Sequence, residues 1–149
     1  MRVVIAADHR GFRLKEHVAN NLAAEGYEVI DLGTQSEDPV DYPDVAIALG
    51  REIQSRRSER GILVCGSGVG ASVAVNKLGG VRGAVCHDIY SAHHGVEHDD
   101  MNVLCLGSGV IGSSLGLELA RAFLEAEFDP EERYVRRLDK VNALEAKWK

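Results

Sequence analysis

The stretch Arg2-Val3-Val4-Ile5-Ala6-Ala7-Asp8-His9-Arg10-Gly11-Phe12-Arg13-Leu14-Lys15, running on to Gly26 and then Tyr27-Glu28-Val29-Ile30-Asp31-Leu32, decides the fold. Residues 2–7 are a β-branched apolar run bounded by polar residues, the pattern of a buried strand. Residues 11–25 then place Leu14, Val18 and Leu22 on one helical face, and Gly26 supplies the stop. Residues 27–32 read as a second strand. Strand, helix, strand without a hairpin turn is a parallel unit, and the same unit recurs along the chain. The reading predicts a helix over 43–57 with Pro43 in its first turn, a strand over 61–65, and a short helix from about 71 to 78. It continues with a strand over 81–86, a helix over 89–98, a strand over 102–106 and a helix over 110–125. Five such units predict an α/β fold, a five-stranded parallel sheet covered by helices on both faces.

Past the last strand, Asp129-Pro130-Glu131-Glu132 offers an N-cap, a first-turn proline and two acids, so 129–149 is expected as an extra C-terminal helix. Tyr134, Leu138, Val141, Leu144 and Trp148 recur there at helical spacing. An apolar stripe needs a cover, either the chain's own domain or a second subunit. The polar loop from Thr34 to Tyr42 is long enough to shape a pocket.

Composition bounds the function. The 149 residues, 45% hydrophobic with three prolines, suit one domain spanning 1–149. Apolar runs are too short for a membrane span, and Met1 leads directly into a strand, so a cytoplasmic protein with no membrane partner is expected. Cys65, Cys86 and Cys105 form no paired motif and read as reduced thiols. A net charge of −6 disfavours nucleic acid, so any anion bound is small.

In open α/β sheets ligands bind outside the carboxyl ends of the strands, and the residues flanking these strands are rich in chemistry. They are Asp8-His9, Cys65-Gly66-Ser67-Gly68-Val69-Gly70, His87-Asp88 and His98-Asp99-Asp100, expected to converge on one rim. Glycines at 66, 68 and 70 allow successive N–H groups to form an anion nest, whose field favours Cys65 as thiolate, a base or nucleophile. Cys86 and Cys105 lack such a loop and read as packing groups. The same loop imitates a dinucleotide fingerprint ending at Ala71, with Asp88 placed as a ribose acid, but it follows the third strand rather than the first. His94 and His98 have metal-ligand spacing without the glutamate of a metalloprotease motif, and no metal is assigned. A solvated face accounts for His93 and His94; His98, at the helix end, is expected to face the rim, and His17 to be exposed. Arg133, Arg136 and Arg137 open the tail helix, and the 133/137 pair sets two guanidinium groups on one face, suited to phosphate.

These residues resemble the type B ribose-5-phosphate isomerases, grouped with the galactose-6-phosphate isomerase subunits. The resemblance covers essentially the whole chain. It is carried by Ala7-Asp8-His9-Arg10-Gly11-Phe12 with Lys15, Asp41-Tyr42-Pro43, Cys65 through Gly70, Asn76-Lys77, His98 through Leu104, and the Arg133/Arg137 pair. It implies a Rossmann-like three-layer domain and a homodimer, sometimes a tetramer, with active sites completed by both subunits. It makes Cys65 the base, has His98 assist ring opening, and has Asp8, Ser67 and Tyr42 arrange the sugar hydroxyls. Gly66, Gly68, Val69 and Gly70 then belong to the anion hole, while His9, Arg133 and Arg137 hold the phosphate. The implied reaction interconverts ribose 5-phosphate and ribulose 5-phosphate through an enediolate, with no metal or organic cofactor.

Three positions depart from the family pattern. Asp99 replaces a common asparagine and adds charge beside the substrate, Gly109 stands where many members have arginine, and Tyr134 stands where histidine is frequent. Another sugar phosphate, of four or six carbons, is the alternative substrate. A noncatalytic sugar-phosphate or nucleotide-binding module is the alternative from outside enzymes.

Overall fold

The computed structural model describes residues 1–148. Strands β1 (Arg2–Ala7), β2 (Glu28–Asp31), β3 (Arg60–Cys65), β4 (Gly83–Val85) and β5 (Val103–Gly107) form one all-parallel sheet in the order β2-β1-β3-β5-β4. Helices α1 (Phe12–Ala24), α2 (Tyr42–Gln54), α3 (Val69–Val75), α4 (Ile89–Asp99) and α5 (Ser113–Glu125) cover it, and α6 (Glu132–Lys147) follows. The expected covered parallel sheet is what forms.

The two-residue period of the strands sorts the core into two halves. Val3, Ile5, Ile62, Val64, Leu104 and Leu106 pack with α1, α4 and α5. Val4, Ala6, Leu63, Cys65, Val103 and Cys105 pack with α2 and α3. Leu14, Val18 and Leu22 are buried as their spacing requires, each contributing about 1.5–3 kcal/mol. Beneath them Lys15 is fully buried, its Nζ 2.8 Å from both carboxylate oxygens of Asp31. Asp31 Oδ1 accepts in turn from the Gly33 N–H at 2.8 Å, and Gly33 and Thr34 exchange 2.7 Å backbone hydrogen bonds with Ala7. The polar loop is thereby anchored beside the end of β1.

Chain direction positions the site. From β1 the chain crosses outward to β2, whereas β3 lies on the other flank of β1. Connections therefore diverge between β1 and β3, opening a crevice at their carboxyl ends. Asp8 and Cys65 sit there.

Several boundaries differ from the sequence reading. The third helix starts at Val69 because Gly68, at φ +79°, turns the chain straight off the loop, and it ends at Val75. Beyond it, Asn76 Nδ2 donates to Ser72 O and Gly83 O, while Asn76 Oδ1 accepts from the Gly83 N–H at 2.9 Å. The fourth strand shrinks to three residues at the sheet edge. Helix α5 begins at Ser113, since residues 108–111 bond to the β3 loop and to Gly107. Asp129 is not the tail-helix cap. Its N–H donates to Glu97 O at 2.8 Å and its Oδ1 accepts from the Glu131 N–H, so it ties the tail to α4 and the helix starts at Glu132.

Helix α6 does not lay its stripe on the sheet. Only Tyr134 is buried, whereas Val141, Leu144 and Trp148 are 51%, 60% and 79% exposed. Between α6 and the β4 edge lies a groove of about 770 Å³, lined by Val81, Met101, Leu138, Val141, Leu144 and Trp148 among others. Among the described residues, no helix is long and apolar enough to cross a membrane.

Candidate active site

At the crevice, Asp8 is almost fully buried, and its Oδ1 accepts the Arg10 and Gly11 N–H groups at 3.0 Å. This closes the turn that starts α1, and Oδ2 has no hydrogen-bond partner among the described residues. His9 Nδ1 accepts the Val40 N–H at 3.1 Å, which assigns the ring proton to Nε2 as a donor. Tyr42, the first residue of α2, rests its ring on Gly70: a Cβ there would lie 2.9 Å from the Tyr42 Cζ. Loop, turn and helix start are thus in contact.

Cys65 is the floor of the crevice. It is 5% exposed, and its Sγ accepts the Gly68 N–H at 3.1 Å. Ser67 is exposed above it, and Ser67 Oγ accepts the Val69 N–H at 3.2 Å. The expected nest is therefore partly spent internally, on the sulfur itself and on Ser67. The neighbouring β5 loop locks this arrangement, with the Ser108 and Gly109 N–H groups donating to Cys65 O and Gly66 O at 2.9 and 2.8 Å. Cys86 and Cys105 are buried, and burial pushes their thiols up to about 11 and about 12, so they remain protonated packing groups.

The remaining candidates assemble elsewhere. His98 and Asp99 end α4, just ahead of β5, at the amino edge of the sheet. His98 stacks on Tyr134 with ring centroids 4.1 Å apart, and the Arg133 guanidinium lies 4.7 Å from the same ring while donating to its hydroxyl. Arg133 also pairs with Glu131 at 2.9 Å, whereas Arg137 is exposed and makes no ion pair among the described residues. The expectation that all these groups converge on one rim is thus corrected. Val103 pairs with Gly61 and Gly107 with Cys65, so the start of β5 and the Cys65 end of β3 are four residues apart along the sheet, about 13 Å. Helix α4 also packs on the face opposite to that of Cys65. One chain thus carries two separate groups of candidate residues.

Other expectations resolve locally. Asp88 caps α4 by accepting from the Ser91 N–H at 2.7 Å, and His87 Nε2 accepts from Gly107 N–H at 2.9 Å. His17 is half-buried, not exposed. His94 stacks on Tyr90 at 3.9 Å, and its Nδ1 is buried without a hydrogen-bond partner among the described residues. His94, Glu97 and His98 offer ligand atoms within 4.8 Å of one another, a donor set that suits a transition metal. Sequence reasoning gave no role to Arg10, whose guanidinium lies over Gly66 and beside Gly109. Positions 10 and 109 are far apart in sequence, and only the fold brings the two together.

Residues 3–141 match the profile of the family described as Ribose/Galactose Isomerase. The chain is similar to "Ribose-5-phosphate isomerase B" of Escherichia coli (strain K12), 38% identical over 97% of this chain and 96% of that protein. The solved structure of Clostridium thermocellum Ribose-5-Phosphate Isomerase B superposes with a TM-score of 0.97 at 41% identity, covering 100% of both chains. That of Ribose-5-phosphate Isomerase B from Mycoplasma genitalium, with bound ribulose-5-phosphate, superposes with a TM-score of 0.93 at 35% identity over 98% of this chain and 97% of that one. A family match over residues 3–141, together with 38% and 41% identity to these relatives over nearly the whole chain, places the chain in one family: it belongs to the Ribose/Galactose Isomerase family.

Proposed function

We propose that this chain is an aldose–ketose isomerase interconverting ribose 5-phosphate and ribulose 5-phosphate, working as a dimer whose sites each join two half-sites. The observation that carries the reading is the Gly68 N–H donated to Cys65 Sγ at 3.1 Å on the floor of the β1/β3 crevice. A sulfur so held, at the crevice where Asp8 also sits, is positioned to shuttle a proton between adjacent carbons. As thiolate, Cys65 takes the proton from C2 of the open-chain aldose and returns it to C1 of the enediolate. Gly66, Gly68, Val69 and Gly70 wall the seat of the enediolate oxygens, where a fixed donor contributes about 3 kcal/mol to the transition state. Asp8, Ser67 and Tyr42 orient the hydroxyls.

His98 acts from the other half-site. Its separation from Cys65 within one chain, together with the uncovered stripe of α6, supports a second copy that brings His98, Asp99, Arg133 and Arg137 over the crevice. The partner's His98 donates to the ring oxygen during opening. The partner's Arg133 and Arg137, with His9, hold the phosphate and fix the register of the carbon chain.

A coupled assay across aldose phosphates of four, five and six carbons, run in deuterated water, tests the reading. Ribose 5-phosphate should turn over fastest with solvent deuterium entering the product. Cys65→Ala should lose about 10²–10⁴-fold in kcat while still binding the sugar phosphate. Full activity in that variant rejects Cys65 as the base, and sugar-phosphate binding without turnover by the unaltered protein favours a noncatalytic module.

A further inference from the structure

Among the described residues, the guanidinium of Arg10 is held without a hydrogen-bond or ion-pair partner. The preceding turn is fixed by Asp8, and the Arg10 carbonyl accepts the Ser108 hydroxyl at 2.7 Å, so the backbone of residue 10 is pinned between the β1 and β5 loops. Its side chain then lies flat on Gly66, where a Cβ would come within 2.5 Å of the Arg10 Cζ and 2.8 Å of its Nε. On the β5 loop, a Cβ at Gly109 would sit 3.5 Å from one terminal nitrogen. Two glycines from two different loops make the bed for one arginine. Several other arginines of this acidic chain find carboxylates, as Arg13 does with Glu37, Arg57 with Glu52 and Arg82 with Asp100. Arg10 makes no side-chain hydrogen bond or ion pair among the described residues, and it is exposed, its guanidinium over Gly66, the residue between Cys65 and Ser67.

A charged fork kept unpaired at the mouth of a crevice suits an anion with planar or tetrahedral oxygens, which it engages through two N–H donors. We propose that Arg10 is a substrate-anion residue of this site, holding the phosphate of the sugar phosphate from the same subunit that supplies Cys65. The inference rests on the isomerase reading for the identity of the substrate, whereas anion binding by Arg10 does not. A side chain at 109 would start 3.0 Å from the Gly66 carbonyl oxygen and 3.5 Å from a terminal nitrogen of Arg10, so an arginine placed there draws on the same bed.

The test compares Arg10→Ala, Arg10→Lys and the double variant Arg10→Ala/Gly109→Arg in the full-length protein. Inorganic phosphate binding is measured by calorimetry, and KM and kcat with ribose 5-phosphate. Arg10→Ala should weaken phosphate binding and raise KM by about 10- to 100-fold while kcat changes less than about threefold. Arg10→Lys should recover part of the loss, and the double variant should recover most of it. Phosphate affinity and KM within about twofold of the unaltered protein in Arg10→Ala overturn the proposal, as does a fall in kcat at constant KM. If the unaltered protein turns over no sugar phosphate, the isomerase reading fails, and the calorimetric comparison still decides the role of Arg10.

Discussion

Mixing two inactive variants should restore activity if, as proposed, the groups they lack belong to different subunits of one site. Cys65 ends β3 and His98 ends α4, and strand register puts the start of β5 and the Cys65 end of β3 four residues, about 13 Å, apart on the sheet. No side chain spans that distance together with the sheet face between them. Cys65→Ala and His98→Ala are each expected to retain about 10⁻² to 10⁻⁴ of the activity, the usual worth of a proton-transfer group. In a two-fold dimer, a chain of each kind makes one site that lacks both groups and one that lacks neither. The isolated heterodimer therefore has one intact site in two and should regain about 50% of the activity, and a random equal mixture, about half of it heterodimer, about 25%. The assay is coexpression of the two variants with different affinity tags, isolation of the heterodimer, confirmation of its composition by native mass spectrometry, and initial rates with ribose 5-phosphate. A verified heterodimer no more active than its parents refutes the shared site and returns Cys65 and His98 to separate functions.

Two further outcomes follow from local geometry. Gly68→Ala forces a side chain onto a residue at φ +79°, with its Cβ 3.1 Å from the Leu106 carbonyl carbon, and should cost about 1–2 kcal/mol, a Tm drop of about 2–8 °C in thermal unfolding, with kcat reduced as the N–H leaves the sulfur. Burial holds the Cys86 and Cys105 thiols protonated to about 11 and about 12, against 9.0 for a free thiol. The unfolded chain therefore loses those protons first, and Tm should fall as pH rises from about 9 through 11, more gently in Cys86→Ala/Cys105→Ala than in the unaltered protein.

Much of this was legible in one dimension. The apolar run at 2–7, the Leu14/Val18/Leu22 stripe and Gly26 are local patterns, and local patterns select strand, helix and stop before any tertiary contact forms. The Cys65 loop was legible too, since glycines mark backbone that must turn sharply or be approached closely. Asp129 misled because an N-cap signal is a competition between local hydrogen bonds, and its contact with Glu97 arises from a part of the chain far away in sequence. His98 misled for a different reason. Residues before a strand and residues after one look alike in sequence, yet they lie at opposite edges of a parallel sheet.

The sequence by itself determined the alternation of strands and helices, the two-faced core and the chemical identity of the reactive loop, because each depends on residues within a few positions of one another. Only the tertiary structure decided that Cys65 and His98 stand apart, that α6 leaves its apolar stripe uncovered, and that Arg10 lies across Gly66 and beside Gly109. Those facts depend on the strand order β2-β1-β3-β5-β4, and strand order is set by which helices can bury which faces together, an energy that belongs to the whole fold and to no single segment.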